Sequence, residues 1–178
     1  MGMSMLRAIA TITAVLVLGL SALGGAATAV STETGTGTGY PAGQCTAYLA
    51  SQLSWIPSNW GNADLWLIDA RRAGFTTISG ADVDAALPGD VAVIAADAHT
   101  SDGRASGDGH VGIVTAIDES AGTVTLSSAN WPEGDTTPRS LTFATSDIEG
   151  YILPPSGASM PASLSTTSSA TSPAGTPN

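Results

Sequence analysis

Residues 110–127 read HVGIVTAI, DESAG, TVTLS: His110–Ile117 and Thr123–Ser127 are rich in Val, Ile and Thr, and Asp118–Gly122 between them has turn chemistry. β-Branched side chains suit a pleated, half-buried surface, and an Asp/Ser/Gly turn closes two such runs into a hairpin. Upstream, Leu87-Pro88-Gly89-Asp90 is a turn signal, and the short apolar run Val91–Ala95 after it suits a buried strand. Downstream, Leu141–Phe143 and Gly150–Leu153 supply two more strand candidates. Nearer the N-terminus the period changes. Within Gly43–Leu53, the residues Cys45, Tyr48, Leu49 and Gln52 follow i, i+3, i+4, i+7 spacing, which predicts a helix with Cys45 in its first turn. Asn62-Ala63-Asp64 starts a second helix whose apolar positions Leu65, Leu67, Ile68 and Ala73 lead to a stop at Gly74, with Trp66 expected in the core. Helices first and an antiparallel sheet afterwards is an α+β order, not the alternation of a parallel doubly wound sheet.

The flanks read differently. Arg7, the apolar run Ala8–Leu20 and the small-residue stretch Ser21–Ala29 follow the order of a secretory signal, with cleavage expected after Ala29. As a helix the apolar run would span about 20 Å, short of the ~30 Å hydrocarbon core, so no permanent membrane insertion is expected once the signal is removed; an uncleaved anchor that recruits the following Ala and Val residues is the second reading. Residues 30–39 form a Gly/Thr linker, and 156–178 a Ser/Thr/Pro/Ala tail with no charged residue, expected to be disordered. That leaves one domain, 40–155, within a chain of 178 residues, and a monomer is the expected state.

Five basic residues, all Arg, face fifteen acidic ones, for a formal net charge of −10. Loss of residues 1–29 would remove Arg7 and no acid. Such a surface argues against nucleic acid as a partner and against long-range steering toward anionic polymers, and it also serves solubility. The chain has a single cysteine, Cys45. An exported protein meets an oxidising environment in which thiols usually pair, so an unpaired one is a buried inert group, an intermolecular bridge, or a reactive group.

The third reading has chemistry behind it. A helix N-terminus favours the thiolate through its unpaired N–H groups and dipole, and an imidazole nearby would take the proton and later return it to a leaving amine. Only His99 and His110 are available. His99 lies in the polar, glycine-containing stretch Asp97–Gly109, which reads as a mobile loop, whereas His110 opens a strand and is the better base. Asp97, Asp102 and Asp108 in that stretch lack EF-hand-like spacing and read as a solvated acidic loop, so neither a metal nor another cofactor is expected.

Gly43-Gln44-Cys45-Thr46-x-Tyr48, Gly61-Asn62-Ala63, Leu87-Pro88-Gly89-Asp90-Val91, Gly109-His110-Val111-Gly112-Ile113-Val114 and Ala129-Asn130-Trp131 together resemble the CHAP domain. These are cysteine- and histidine-dependent amidohydrolases/peptidases of the papain-like, NlpC/P60-related superfamily. The resemblance spans about Tyr40 to Pro155 and implies helices packed on an antiparallel sheet. It also implies a peptidoglycan substrate, cleaved as an N-acetylmuramoyl-L-alanine amidase or as a stem or cross-bridge endopeptidase, in a secreted or wall-associated protein. By position, Cys45 takes the nucleophile's place and His110 the base's. Many relatives carry a carboxylate two residues before the Asn; this chain has Ser128 there, which makes Asn130 the leading orienter of the imidazole, with Ser128 assisting. The Cys45 N–H, with Gln44, is the expected oxyanion donor, while Gln44 could equally cap the helix or bind a loop. Trp60, Asn62 and Trp131 are the expected groove walls. The departure at Ser128 keeps a second reading open, a catalytically weak or silent wall-binding module on the same fold.

Overall fold

The structure, a computed structural model, describes residues 38–158 together with Met160, Pro161 and Leu164. The expected signal, nearly all of the linker, and the tail beyond Leu164 lie outside the described residues. Among the described residues no helix is long and apolar enough to cross a membrane.

Helix α1 spans Cys45–Gln52 and is followed by a 3-10 turn, Ala63–Leu65, that runs into α2, Trp66–Arg72. Strands follow in the order β1 Thr77–Ser79, β2 Val91–Ile94, β3 His99–Thr100, β4 Gly103–Arg104, β5 His110–Asp118, β6 Thr123–Ser128, β7 Arg139–Ala144 and β8 Gly150–Ile152. Six of them form one sheet in the order β1-β8-β2-β5-β6-β7, in which neighbouring strands run antiparallel, and β3 pairs with β4 as a separate antiparallel ribbon. The α+β architecture expected from the order of patterns is the one observed.

The β5–β6 hairpin forms where the sequence places it. The Asp118 carboxylate accepts from the Ser120 hydroxyl at 2.6 Å and the Ala121 N–H at 2.9 Å, and Gly122 supplies the positive φ of 64° that closes the turn. The register shifts between Val114 and Ala116, an irregularity of the bulge kind. Strand β2 is buried along its whole length. Val91 and Val93 join Leu49, Leu53, Trp66 and Ile113 in one apolar cluster, while Ala92 and Ile94 join Leu126, Trp131, Phe143 and Tyr151 in another. Each fully buried Val, Leu, Ile or Phe side chain among them contributes about 1.5–3 kcal/mol.

The buried side of the second helix differs from the pattern counted in sequence. Leu65 and Ile68 are each 44% exposed, and the residues turned inward are Ala63, Trp66, Leu67 and Ala70, again at i, i+3, i+4, i+7. Trp66 is fully buried, edge-on to Trp60 and tilted against Tyr40, so the aromatic rings set the helix's rotation. The Asp97–Gly109 stretch is also more ordered than a plain loop, because it contains β3 and β4 with His99 paired to Arg104. At the other end the packed chain continues past Pro155. Met160 lies so close to Gly89 that a Cβ there would come within 2.8 Å of it, and Leu164 packs on the first cluster.

Candidate active site

Cys45 opens α1, and His110 opens β5, against which α1 packs. Both line a single cavity of about 460 Å³, together with Gln44, Asn62, Asn130 and Trp131. The N-terminus of α1 is fixed from two sides. Tyr48 shares a 2.7 Å hydrogen bond with the Ser127 hydroxyl on β6, and Gly43 (φ 81°) leaves room for Thr136, whose methyl would lie 2.7 Å from an added Cβ. His110 is held as tightly. The preceding Gly109 (φ 73°) is packed so that a Cβ would sit 2.8 Å from both the Asp64 nitrogen and the Ile94 carbonyl, which only glycine tolerates. Asn62 donates to the Asp108 carboxylate at 2.6 Å, and the Asp64 N–H donates to the Asp108 carbonyl at 2.9 Å, tying the approach to His110 onto the start of the second helical segment.

Ser128 is the group at the imidazole. Its Oγ lies 2.9 Å from His110 Nε2 and 2.6 Å from the Val111 carbonyl. A hydroxyl has one proton, and the carbonyl can only accept. Ser128 therefore donates to Val111 and accepts from Nε2–H, which leaves Nδ1 as the unprotonated nitrogen. Trp131 packs against the ring with centroids 4.8 Å apart, and its own indole N–H donates to the Asp102 carbonyl at 3.1 Å.

Asn130 stands elsewhere than expected. Its Oδ1 accepts from the Gly134 N–H at 2.6 Å and its Nδ2 donates to Gln44 Oε1 at 2.9 Å, so the side chain is committed away from the imidazole. The residue adopts a left-handed φ of 61°, a conformation Asn tolerates better than most. Gln44 occupies the N-cap position of α1 but makes no side-chain capping bond; of its two expected alternatives to oxyanion binding, only the loop contact is formed. Trp60 is a correction. It is 2% exposed, packed edge-on between Trp66 and Phe75, and is absent from the cavity lining, because the aromatic cluster beneath α2 draws it inward. Trp131 does line the cavity, although only 4% of it is exposed.

The electrostatics also depart from the helix-terminus expectation. Burial pushes the Cys45 thiol up to about 11, outweighing the backbone N–H groups of Val111, Thr46 and Cys45 that favour the thiolate. Burial pushes His110 down to about 4. Both shifts favour the uncharged forms, a thiol and a neutral imidazole.

The acidic stretch resolves into separate contacts. Asp97 pairs with Arg104 at 2.7 Å, Asp102 offers its carbonyl to Trp131, and Asp108 binds Asn62. Among the described residues no three His, Cys, Asp or Glu side chains gather as a metal-holding group. Arg104, Asp108 and Glu133 at the cavity wall were not singled out from sequence as groove residues. Nothing in their local pattern separates them from other exposed charges.

The fold brings one Cys and one His to a shared cavity. Residues 35–130 match the CHAP domain, and the chain belongs to that family. Among curated proteins it is 32% identical over 113 residues to the staphylococcal secretory antigen ssaA2 of Staphylococcus aureus strain NCTC 8325, and 31% identical to its counterpart in strain MRSA252. The aligned part is 63% of this chain but only 37% and 36% of those relatives, so the chain spans little over a third of their length. A crystal structure of an N-acetylmuramoyl-L-alanine amidase from S. aureus superposes with a TM-score of 0.51 at 23% identity, over 68% of this chain and 33% of that one, and supports the fold.

Proposed function

We propose that the chain is a secreted cysteine hydrolase that cleaves amide bonds of peptidoglycan. The observation that carries this reading is the meeting of Cys45 and His110 in one cavity, with the imidazole's Nε2 tied to Ser128 and its Nδ1 left to accept a proton. In the reaction, the Cys45 sulfur attacks the scissile carbonyl carbon while His110 Nδ1 takes the thiol proton. The carbonyl oxygen, now an oxyanion, is received by the Cys45 N–H in the first turn of α1 and by the Gln44 side-chain amide. His110 returns the proton to the leaving amine, the C–N bond breaks, and a thioester remains on Cys45. His110 then deprotonates water, which attacks the thioester carbonyl and releases the carboxylic acid and the thiol. Ser128 performs the orienting task that sequence assigns first to Asn130. Export through residues 1–29 belongs to the same reading and is supported by the order of charges and apolar residues there and by the description of the relatives as secretory antigens.

Mass spectrometry of muropeptides after digestion with residues 30–178 tests both the activity and the bond. Intact stem peptides freed from their sugars identify an amidase, and shortened stems or opened cross-bridges identify an endopeptidase. An undigested wall that nevertheless retains the protein would replace this reading with that of a non-catalytic wall-binding module.

A further inference from the structure

The bond between Asn130 and Gln44 has a direction, and that direction can be deduced. The Gly134 N–H lies 2.6 Å from one terminal atom of the Asn130 amide, and a backbone N–H can only donate, so that atom is Oδ1. The other terminal atom, 2.9 Å from Gln44, is then Nδ2, which can only donate, and the Gln44 atom facing it is Oε1. One backbone N–H thus settles two amide orientations in series. It leaves the NH₂ end of Gln44 as the end free to donate, on a residue that lines the same cavity as Cys45. The loop that presents Gly134 is closed on itself: Asn130 N–H donates to the Asp135 carbonyl at 2.7 Å, Asp135 N–H to the Pro132 carbonyl at 3.0 Å, and Asp135 forms an ion pair with Arg139. The left-handed backbone of Asn130 aims its side chain back across the N-terminus of α1, where Gly43 leaves space for the loop.

We propose that Asn130 is a positioning residue for the oxyanion-binding amide of Gln44, and that it acts on catalysis through Gln44 and not through His110. The proposal rests on the reading of this cavity as an amide-hydrolysing site. It divides the orienting work between two neighbouring residues, since Ser128 fixes the tautomer of the base and Asn130 fixes the polarity of the oxyanion donor. If Gln44 were turned over, its carbonyl would face the developing oxyanion and repel it.

The test compares two reactions of Cys45 in a protein comprising residues 30–178. Alkylation by iodoacetamide forms an S–C bond at a tetrahedral carbon with loss of iodide and develops no carbonyl oxyanion. Addition of the thiol to N-acetyl-alaninal forms a hemithioacetal in which the aldehyde oxygen occupies the oxyanion position. Asn130→Asp keeps an acceptor for Gly134 N–H but presents a carboxylate oxygen to Gln44, which reverses the Gln44 amide. The expected result is alkylation within about twofold of wild type, aldehyde affinity reduced about tenfold or more, and peptidoglycan hydrolysis reduced about a hundredfold or more, the range for a lost oxyanion donor. Asn130→Ala, which frees the amide without reversing it, is expected to give a smaller loss of the same kind. In a Gln44→Ala background both changes should cost no more than about twofold further. Equal losses in alkylation and hydrolysis, or a full additional loss in the Gln44→Ala background, would overturn the proposal. A wild-type protein that binds the aldehyde with this coupling but leaves peptidoglycan intact would overturn the hydrolase reading and leave the proposal standing.

Discussion

Ser128 Oγ lies 2.9 Å from His110 Nε2, on a hydroxyl whose proton is already given to the Val111 carbonyl. That relationship assigns the imidazole its neutral Nε2–H tautomer without any carboxylate. At pH 7 the ¹⁵N spectrum of His110 should show a protonated Nε2 and an unprotonated Nδ1. Ser128→Ala removes the acceptor, leaves the tautomers close in energy, and should lower kcat about ten- to a hundredfold with little change in KM. A His110 found as the Nδ1–H tautomer in the wild-type protein would remove the basis of this assignment.

The thiol's environment makes a second prediction. With burial pushing Cys45 up to about 11 and His110 down to about 4, the uncharged forms predominate in the free protein at pH 7. The rate of Cys45 alkylation by iodoacetamide should therefore rise close to tenfold per pH unit from 7 to 10, tracking the thiolate fraction. A rate that is flat from pH 5 to 8 would mean a preformed thiolate–imidazolium pair.

The buried imidazole also links pH to stability. An unfolded chain protonates His110 near pH 6.5, whereas the folded one does so only near 4, so between these values the unfolded state binds more protons. The contribution of His110 is fully present above about pH 6.5 and is lost as pH falls toward 4, by about 3 kcal/mol in total. Urea unfolding of wild type and His110→Gln at pH 7 and pH 4.5 checks this. The variant should lose less stability on acidification than wild type, and parallel losses would show that His110 is not desolvated.

The parts of this structure that were legible in sequence are those set by neighbours along the chain. The β5–β6 hairpin follows from β-branched runs around an Asp/Ser/Gly turn, and α1 follows from the spacing of Cys45, Tyr48 and Leu49. The parts that were not legible depend on contacts across the chain. Strand β1 has three residues and gains its place only by pairing with β8, which inserts between it and β2. Leu65 and Ile68 look more apolar than Ala63 and Ala70, yet the aromatic packing of Trp66 turns the helix so that the alanines face inward. Trp60 adjoins a motif in a turn and is nonetheless drawn into that same cluster. Asn130 sits two residues past Ser128, but its left-handed backbone sends its amide to Gln44, and no residue pattern announces a single φ angle. The thiol's acidity follows the same division: a helix N-terminus is visible in sequence, whereas the burial that outweighs it is a property of the assembled fold.

The central claim is that Cys45 cleaves amide bonds of peptidoglycan with His110 as its base, and release of new amino groups from purified peptidoglycan measures it directly. Wild-type residues 30–178 should release them steadily, and Cys45→Ala and His110→Ala, each folded with a thermal transition close to wild type, should reduce the release at least a thousandfold, on the order of the loss seen when a nucleophile or its base is removed. Release by Cys45→Ala at the wild-type rate would contradict the account.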